Sequence, residues 1–256
     1  MKILYKIQTS HLVLKLKRVI ERILINKTVG RVLTPFLKQS IPFYGTKIVT
    51  SSLNDLQKAA IFFKRYETRE IYFVNKYLIN SIPTIELGSS IGIVSCQIAK
   101  INKCKKIFVE ANPTVLKTID NNLHFNQFDN YVIVNGAIAY TEDDFITINL
   151  HENNLVGNLY NKLDGGSAVR VYTLSDILKL YNIEEYCLVM DIEGAEFELI
   201  QNDPLALINC KRIIAEFHDF EYAKNRIHFS EVIKMCEEAG FRVVDQYYNR
   251  AVLDKS

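Results

Sequence analysis

The apolar positions of this chain change their period near residue 80. Before that point they recur at helical spacing. Leu12, Leu16, Val19, Ile20, Ile23 and Leu24 share one face, and Lys15, Lys17, Arg18, Glu21 and Arg22 fill much of the other. Further helices are expected over 53–63, with Ser52 or Asn54 as the cap, and over 67–79. After Pro83, short apolar runs alternate with helix-like segments. Strands are predicted at 84–87, 106–110, 131–134, 187–191, 212–217 and 241–246, and helices at 91–100, 113–122, 174–181, 195–201 and 230–239. Such alternation implies an α/β fold, a mostly parallel sheet with helices on both faces, here with an N-terminal helical extension. The stretch 143–171 breaks the rhythm. Strand-like "FITINL" leads into a polar segment with Asn153, Asn154, Gly157, Gly165 and Gly166, followed by "AVRVYTL". It is expected to run over the top of the sheet, where ligands bind in such folds.

Composition narrows the class. Hydrophobic residues make up 48% of the 256 positions and charged residues 23%, which is globular and excludes general disorder. Five scattered Cys without Cys-x-x-Cys spacing point to free thiols in a reducing compartment, not to a disulfide frame or zinc knuckle. The net charge of +2 is uneven: residues 1–47 carry +9, leaving −7 for the remainder. The arm is interrupted by charge at every turn, so it reads as neither a secretory signal nor a bilayer span. A soluble cytoplasmic protein is expected, divided into a basic amphipathic extension over 1–50 and a main domain over 51–256. The arm is read as a helix packed on the domain or on a second copy, giving a homodimer. Its alternative is peripheral contact with an anionic membrane at the inner face. Nucleic acid is excluded as a partner, because the body is acidic and carries no binding motif.

In an open parallel sheet, ligands sit beyond the carboxyl ends of the strands. The residues expected there are Glu86, Glu110, Asn135, Asp191 and Glu216, and four of the five are acidic. Such a rim repels phosphate. The turn Gly88-Ser89-Ser90-Ile91-Gly92 also lacks the middle glycine of a dinucleotide fingerprint and the lysine of a P-loop. S-adenosylmethionine fits better, since its sulfonium and ammonium groups are positive and it has no phosphate. Gly88 and Gly92 let the backbone approach the cofactor closely. Glu86 organises the turn or meets the ammonium group. Glu110, 18 residues after Gly92, is placed to accept the ribose hydroxyls. Its bland reading is a helix-capping partner before Pro113. Asn135 and Asp191, at the neighbouring strand ends, complete this set.

Several motifs occur in order: Tyr66-Glu67-x-x-Glu70, "IELGSSIG", "FVEANP" with Asn121 and Asn122, then "VYTLSDIL", "LVMDIEGAEFELI" and "RIIAEFH". Over residues 66–241 this resembles the FkbM family of S-adenosylmethionine-dependent methyltransferases. The chain departs from the family pattern at Glu86 (usually Asp), Ser89-Ser90 (usually Ala-Asn) and Ala111 (usually Pro). The resemblance adds Ser90 and Ala111 to the expected cofactor contacts and implies a class I methyltransferase, Rossmann-like fold. It also implies methyl transfer to an oxygen, often on a sugar of a surface polysaccharide, a glycolipid or a natural product.

Asp191 and Glu193 are two apart at one strand end, and Glu216 and His218 stand in the same relation on the next. If the strands are neighbours, four polar groups converge beside the methyl donor. A hydroxyl acceptor must lose its proton as the new bond forms, and Asp191, Glu193 and His218 are the candidates to take it. Alternatively, a divalent cation held by Asp191, Glu216 and His218 lowers the hydroxyl pKa, although these residues lack a diagnostic metal-ligand spacing. The bland readings are a helix start at Glu193-Gly194 with acids complementing the dipole, and a structural His218. The expected activity is O-methylation of a saccharide or glycan hydroxyl. The alternatives are methylation of a non-sugar, polyketide-like metabolite, or a non-catalytic binding protein that keeps the fold.

Overall fold

A computed structural model describes residues 22–148, 166–222 and 225–256. Most of the amphipathic arm and the polar segment 149–165 lie outside these residues, so the expectations placed on them rest on the sequence. The chain divides into two compact units, Met1–Tyr66 and Glu67–Ser256.

In the first unit, helix α1 (Lys27–Leu33) starts at Asn26, whose side chain accepts the Val29 N–H at 3.0 Å. Strands β1 (Ser40–Phe43) and β2 (Thr46–Val49) form an antiparallel hairpin that the apolar pattern did not announce. Its two turn residues, Tyr44 and Gly45, both have positive φ (46° and 84°), the conformation that a two-residue hairpin turn requires. Phe43, Ile48 and Ile61 are fully buried. Helix α2 (Asp55–Phe62) is capped by Asn54, not Ser52, in a reciprocal arrangement with Gln57.

The second unit opens with α3 (Thr68–Tyr77), and strand–helix alternation follows: β3 (Thr84–Leu87), α4 (Ile93–Ile101), β4 (Lys106–Glu110), α5 (Leu116–Phe125), β5 (Tyr131–Asn135). A side sheet is built from β6 (Ala137–Ile138), β7 (Phe145–Ile148) and β8 (Ser167–Tyr172), in the order β6-β8-β7. Then come α6 (Leu174–Tyr181), β9 (Tyr186–Met190), α7 (Ala195–Asn202) and β10 (Cys210–Glu216). A short hairpin of β11 (Phe220–Tyr222) and β12 (Asn225–Ile227) precedes α8 (Phe229–Glu238), β13 (Phe241–Tyr247) and β14 (Arg250–Lys255).

The main sheet has seven strands in the order β13-β14-β10-β9-β3-β4-β5. From β5 to β10 all pairs are parallel, and β14 runs antiparallel to both its neighbours. Strand order reverses between β3 and β9. Right-handed crossovers therefore put α4 and α5 on one face and α7 and α8 on the other. This is the doubly wound α/β arrangement anticipated for a class I methyltransferase. Strands β3, β4 and β9 are buried along their whole length, which is why they read as unbroken apolar runs.

The register turns this topology into a site. Leu87 lies opposite Met190 and Val109, Met190 opposite Ala215, and Glu110 opposite Asn135. The next residue on each inner strand therefore falls on one row: Asn135, Glu110, Gly88, Asp191, Glu216. Helix starts were less well anticipated. α5 begins at Leu116, not at Pro113, because Asn112 Oδ1 accepts both the Thr114 N–H at 2.9 Å and its hydroxyl at 2.7 Å and holds a turn open there. All five cysteines are unpaired. Among the described residues, no helix is long and apolar enough to cross a membrane.

One buried amide ties this framework together. Asn102, fully buried at the end of α4, donates to Ile82 O at 2.7 Å and Thr84 Oγ1 at 2.8 Å and accepts from Cys104 N at 2.7 Å. Asn102→Leu leaves those backbone groups unpaired. It is expected to lower the unfolding free energy by about 2–4 kcal/mol in urea titration; a loss below about 0.5 kcal/mol would contradict this account.

Candidate functional site

The turn after β3 is held by backbone hydrogen bonds to the next strand. Gly88 N and Ser89 N both donate to Val109 O, at 2.9 and 3.1 Å. Gly88 has φ +84°, and a Cβ built on it would lie 1.9 Å from the Asp191 carbonyl oxygen. No side chain fits there, so the ends of β3 and β9 approach as closely as two backbones can. Gly92, with φ +79°, turns the chain into α4.

Glu110 closes the same turn from the side. Its Oε2 accepts the Ser90 N–H at 2.7 Å and its Oε1 the Asn112 N–H at 2.7 Å. Burial raises its pKa, and the backbone donors from Asn112 and Ser90 pull it back. Asn135 donates to Glu110 O at 2.9 Å and Ala111 O at 3.1 Å. Thus Ser90, Glu110, Ala111 and Asn135 form one hydrogen-bonded group beside the turn.

Next to them is a cavity of about 450 Å³, counted with the solvent at its mouth. Glu86, Gly88 and Asp191 line it; Ser90, Gly92, Glu110, Ala111 and Asn135 do not. The lining also includes Glu67, Glu70, Ser89, Glu216 and Arg250. Glu86 is 2% exposed and accepts a hydrogen bond from Ser95 Oγ. Burial pushes its pKa up to about 8, against the pull of Ser95 and Ser89. Glu67, at the start of α3 with φ +45°, is raised well above the carboxylate range, first by burial and then by Glu70, Asp191, Glu86 and Glu216. Five carboxyl groups thus face one guanidinium. Arg250 is itself committed, through Nε to Glu70 and through Nη2 to Glu216 Oε2 at 2.6 Å.

Strands β9 and β10 are neighbours, and they bring together all four groups expected at their ends. His218 Nε2 lies 3.5 Å from Glu193 Oε2, 3.7 Å from Glu216 Oε1 and 3.8 Å from Asp191 Oδ1. A fifth group completes the cluster. Glu196, fully buried, accepts the Ile192 N–H on Oε1 and the Gly194 N–H on Oε2, both at 2.9 Å. The same Oε1 lies 3.2 Å from His218 Nδ1. Glu196 therefore shapes the 192–194 turn and orients the imidazole together. Its signal in the sequence was an acid in the first turn of α7, which reads equally as a dipole complement. Arg250 was missed because β14 was.

Burial on its own would lower the His218 pKa. The hydrogen bond and charge of Glu196, with Asp191 and Glu193 behind them, outweigh it and push the pKa up to about 9. In the ligand-free protein His218 is therefore an imidazolium at neutral pH, and the carboxylates are left as proton acceptors. Burial, then Glu216, raises Asp191 well above its usual range. Its Oδ1 is closed to solvent and accepts no hydrogen bond. Glu193 is raised chiefly by burial, with His218 pulling it down. Asp191, Glu196 and His218 each bring one donor atom within 4.8 Å of the other two, whereas Glu216 is occupied by Arg250 and by Asn249 Nδ2 at 3.0 Å.

The residues present fit S-adenosylmethionine. The volume lies within the roughly 300–1,000 Å³ of small-ligand sites. The bare Gly88 leaves a cradle, and the excess of carboxyl groups suits a ligand with sulfonium and ammonium charges.

The raised His218 pKa has a consequence for stability. A histidine whose folded pKa exceeds its unfolded value near 6.5 contributes fully below that value, and the contribution is lost as pH rises through the folded pKa. The stability advantage of the cofactor-free wild type over His218→Gln is therefore expected to be about 1–3 kcal/mol at pH 6 and to shrink toward zero above about pH 9. Urea unfolding at pH 6 and pH 10 checks this, and an advantage that grows with pH would contradict it.

Residues 86–243 match the family described as Methyltransferase FkbM domain. A search of curated proteins found no match. Among solved structures, the chain is similar to a protein of the NADB-Rossmann superfamily from Streptococcus agalactiae, with 12% identity over 73% of this chain and 68% of that one and a TM-score of 0.46. It is also similar to Sp1610 of Streptococcus pneumoniae, a putative tRNA (m1A22) methyltransferase in complex with S-adenosyl-L-methionine (10% identity, 73% and 72% covered, TM-score 0.45). A third is a precorrin-6y C5,15-methyltransferase from Geobacter metallireducens (13% identity, 74% and 89% covered, TM-score 0.41). Likenesses this distant say nothing of the acceptor. The family match spans more than half of the sequence and covers the cofactor turn, the Asp191–Glu196 loop and His218, so the chain belongs to the FkbM family of S-adenosylmethionine-dependent methyltransferases.

Proposed function

We propose that the protein is an O-methyltransferase whose acceptor is a saccharide hydroxyl. The observation that carries this reading is the cluster around His218. It gathers two carboxylates, the groups suited to removing a hydroxyl proton, around one imidazole: Asp191, whose backbone packs against Gly88, and Glu193. When bound, S-adenosylmethionine supplies an electrophilic methyl group on a sulfonium. Gly88 and Ser89 would receive its amino-acid end, and the buried acids Glu86 and Asp191, held above their ordinary pKa without it, would ionise to balance its charge.

Glu193 is the base in this reading. Its side chain is 32% exposed and so within reach of an incoming acceptor. Burial raises its pKa, which makes it a better proton acceptor than a free carboxylate. The His218 imidazolium, fixed by Glu196, keeps Glu193 ionised until it takes the proton. Asp191 lies between the cofactor turn and His218 and orients the acceptor hydroxyl. A hydroxyl-rich acceptor is also favoured by the Asn- and Gly-rich segment 151–166, on the strength of its sequence. With a lipid-linked glycan as acceptor, the basic arm would rest on the anionic cytoplasmic face of a membrane.

The test is transfer of tritiated methyl from the cofactor to a panel of nucleotide sugars, oligosaccharides and aromatic polyols. The expected result is label on a saccharide, stable to base as an ether is. Glu193→Gln is expected to cut kcat by about 10²–10³-fold while cofactor affinity is kept. Label found only on nitrogen, carbon or a non-saccharide would overturn the assignment, and an unchanged rate in Glu193→Gln would remove the base.

A further inference from the structure

We infer that Asp191, Glu196 and His218 form a divalent-cation site beside the cavity. The inference rests on the methyl-transfer reading of the same cavity and adds the means by which the acceptor hydroxyl is made acidic.

One ligand atom from each of the three residues lies within 4.8 Å of the other two. Atoms that close can share a centre at most about 2.8 Å away, so a few tenths of an ångström of side-chain movement brings them to the roughly 2.0–2.6 Å of cation–ligand bonds. Independently, Asp191 Oδ1 is shut off from solvent and accepts no hydrogen bond, with His218 Nε2 3.8 Å away, so it is a buried oxygen that a ligand would satisfy. The local charges point the same way. Among the described residues, the one guanidinium lining the cavity, Arg250, is spent on Glu70 and Glu216. A single imidazole is left to face Asp191, Glu193 and Glu196.

The supports are rigid. Glu196 is held by two backbone N–H groups of the loop it caps, and Asp191 continues a central strand. Hydrogen bonds to the ligating carboxylates are the usual second layer of a metal site. Glu216, expected from the sequence to be a ligand, is neutralised by Arg250 instead and stands outside the trio. Two carboxylates and one imidazole suit a cation of intermediate softness, of the manganese(II) type, which takes the place of the proton that His218 carries in the ligand-free protein. A cation held there lowers the pKa of a hydroxyl bound to it, and Glu193 then takes the proton.

The experiment uses the full chain, stripped with a chelator and dialysed. It is titrated with Mn²⁺ while free Mn²⁺ is followed by electron paramagnetic resonance. The same sample is titrated calorimetrically with S-adenosylhomocysteine. The expected result is one saturable Mn²⁺ site per chain, weakened about tenfold or more in Asp191→Asn and in His218→Gln. Glu238→Gln, at an exposed position, is expected to bind as the wild type does. The site is disproved if protein that binds S-adenosylhomocysteine takes up no Mn²⁺, or if both variants bind it unchanged. Loss of both ligands in folded wild type would remove the methyltransferase reading along with the site.

Discussion

The site is built on the close approach of two backbones. Gly88 presses on the Asp191 carbonyl so tightly that a Cβ would sit 1.9 Å from its oxygen. That approach occurs where strand order reverses, at the one place where neighbouring crossovers leave in opposite directions and open a crevice. The turn at Gly88 is then pinned to β4 by Val109 O and Glu110, and Asp191 is pinned to β3 by its N–H on Leu87 O at 3.0 Å. The floor of the cavity is thus made of backbone and buried strands. The row of polar residues at the strand ends has one fixed register.

The second constraint is charge. The strand ends and the start of α3 bring Glu67, Glu70, Glu86, Asp191 and Glu216 to one cavity, with Glu193 and Glu196 just behind. Among the described residues Arg250 and His218 oppose them, and both are already engaged. Several of these acids are held above their ordinary pKa by burial and by one another. A site kept in that state favours a positive ligand, because bringing positive charge in relieves repulsion that folding imposed. The same electrostatics account for a cationic cofactor and for a His218 that is charged in the ligand-free protein, where a divalent cation would replace its proton.

Much of this was legible in the sequence, for physical reasons that differ by element. Strands β3 and β4 were predicted at their observed bounds because strands buried on both faces read as short apolar runs between breakers. The strand-end acids followed, since topology decides which end of a parallel sheet is open. What escaped notice had no local signal. β1 contains Pro42 within its run, and β14 follows a Tyr247-Tyr248-Asn249 turn in which Tyr248, not a glycine, takes the positive φ of 58°. Missing β14 meant missing Arg250, the cation that neutralises Glu216. Glu196 escaped for another reason: its role comes from folding back on the loop that precedes it, and first-turn acids are common on helices without any such role.

The central claim is that the bare Gly88 turn, closed against Asp191, is the cradle of a nucleoside-sulfonium cofactor. Calorimetric titration of S-adenosylhomocysteine into wild type and Gly88→Ala, each checked for folding by circular dichroism, tests it most directly. Saturable binding by the wild type and its loss in the folded variant is the predicted result. No binding by folded wild type, or equal binding by Gly88→Ala, would contradict it.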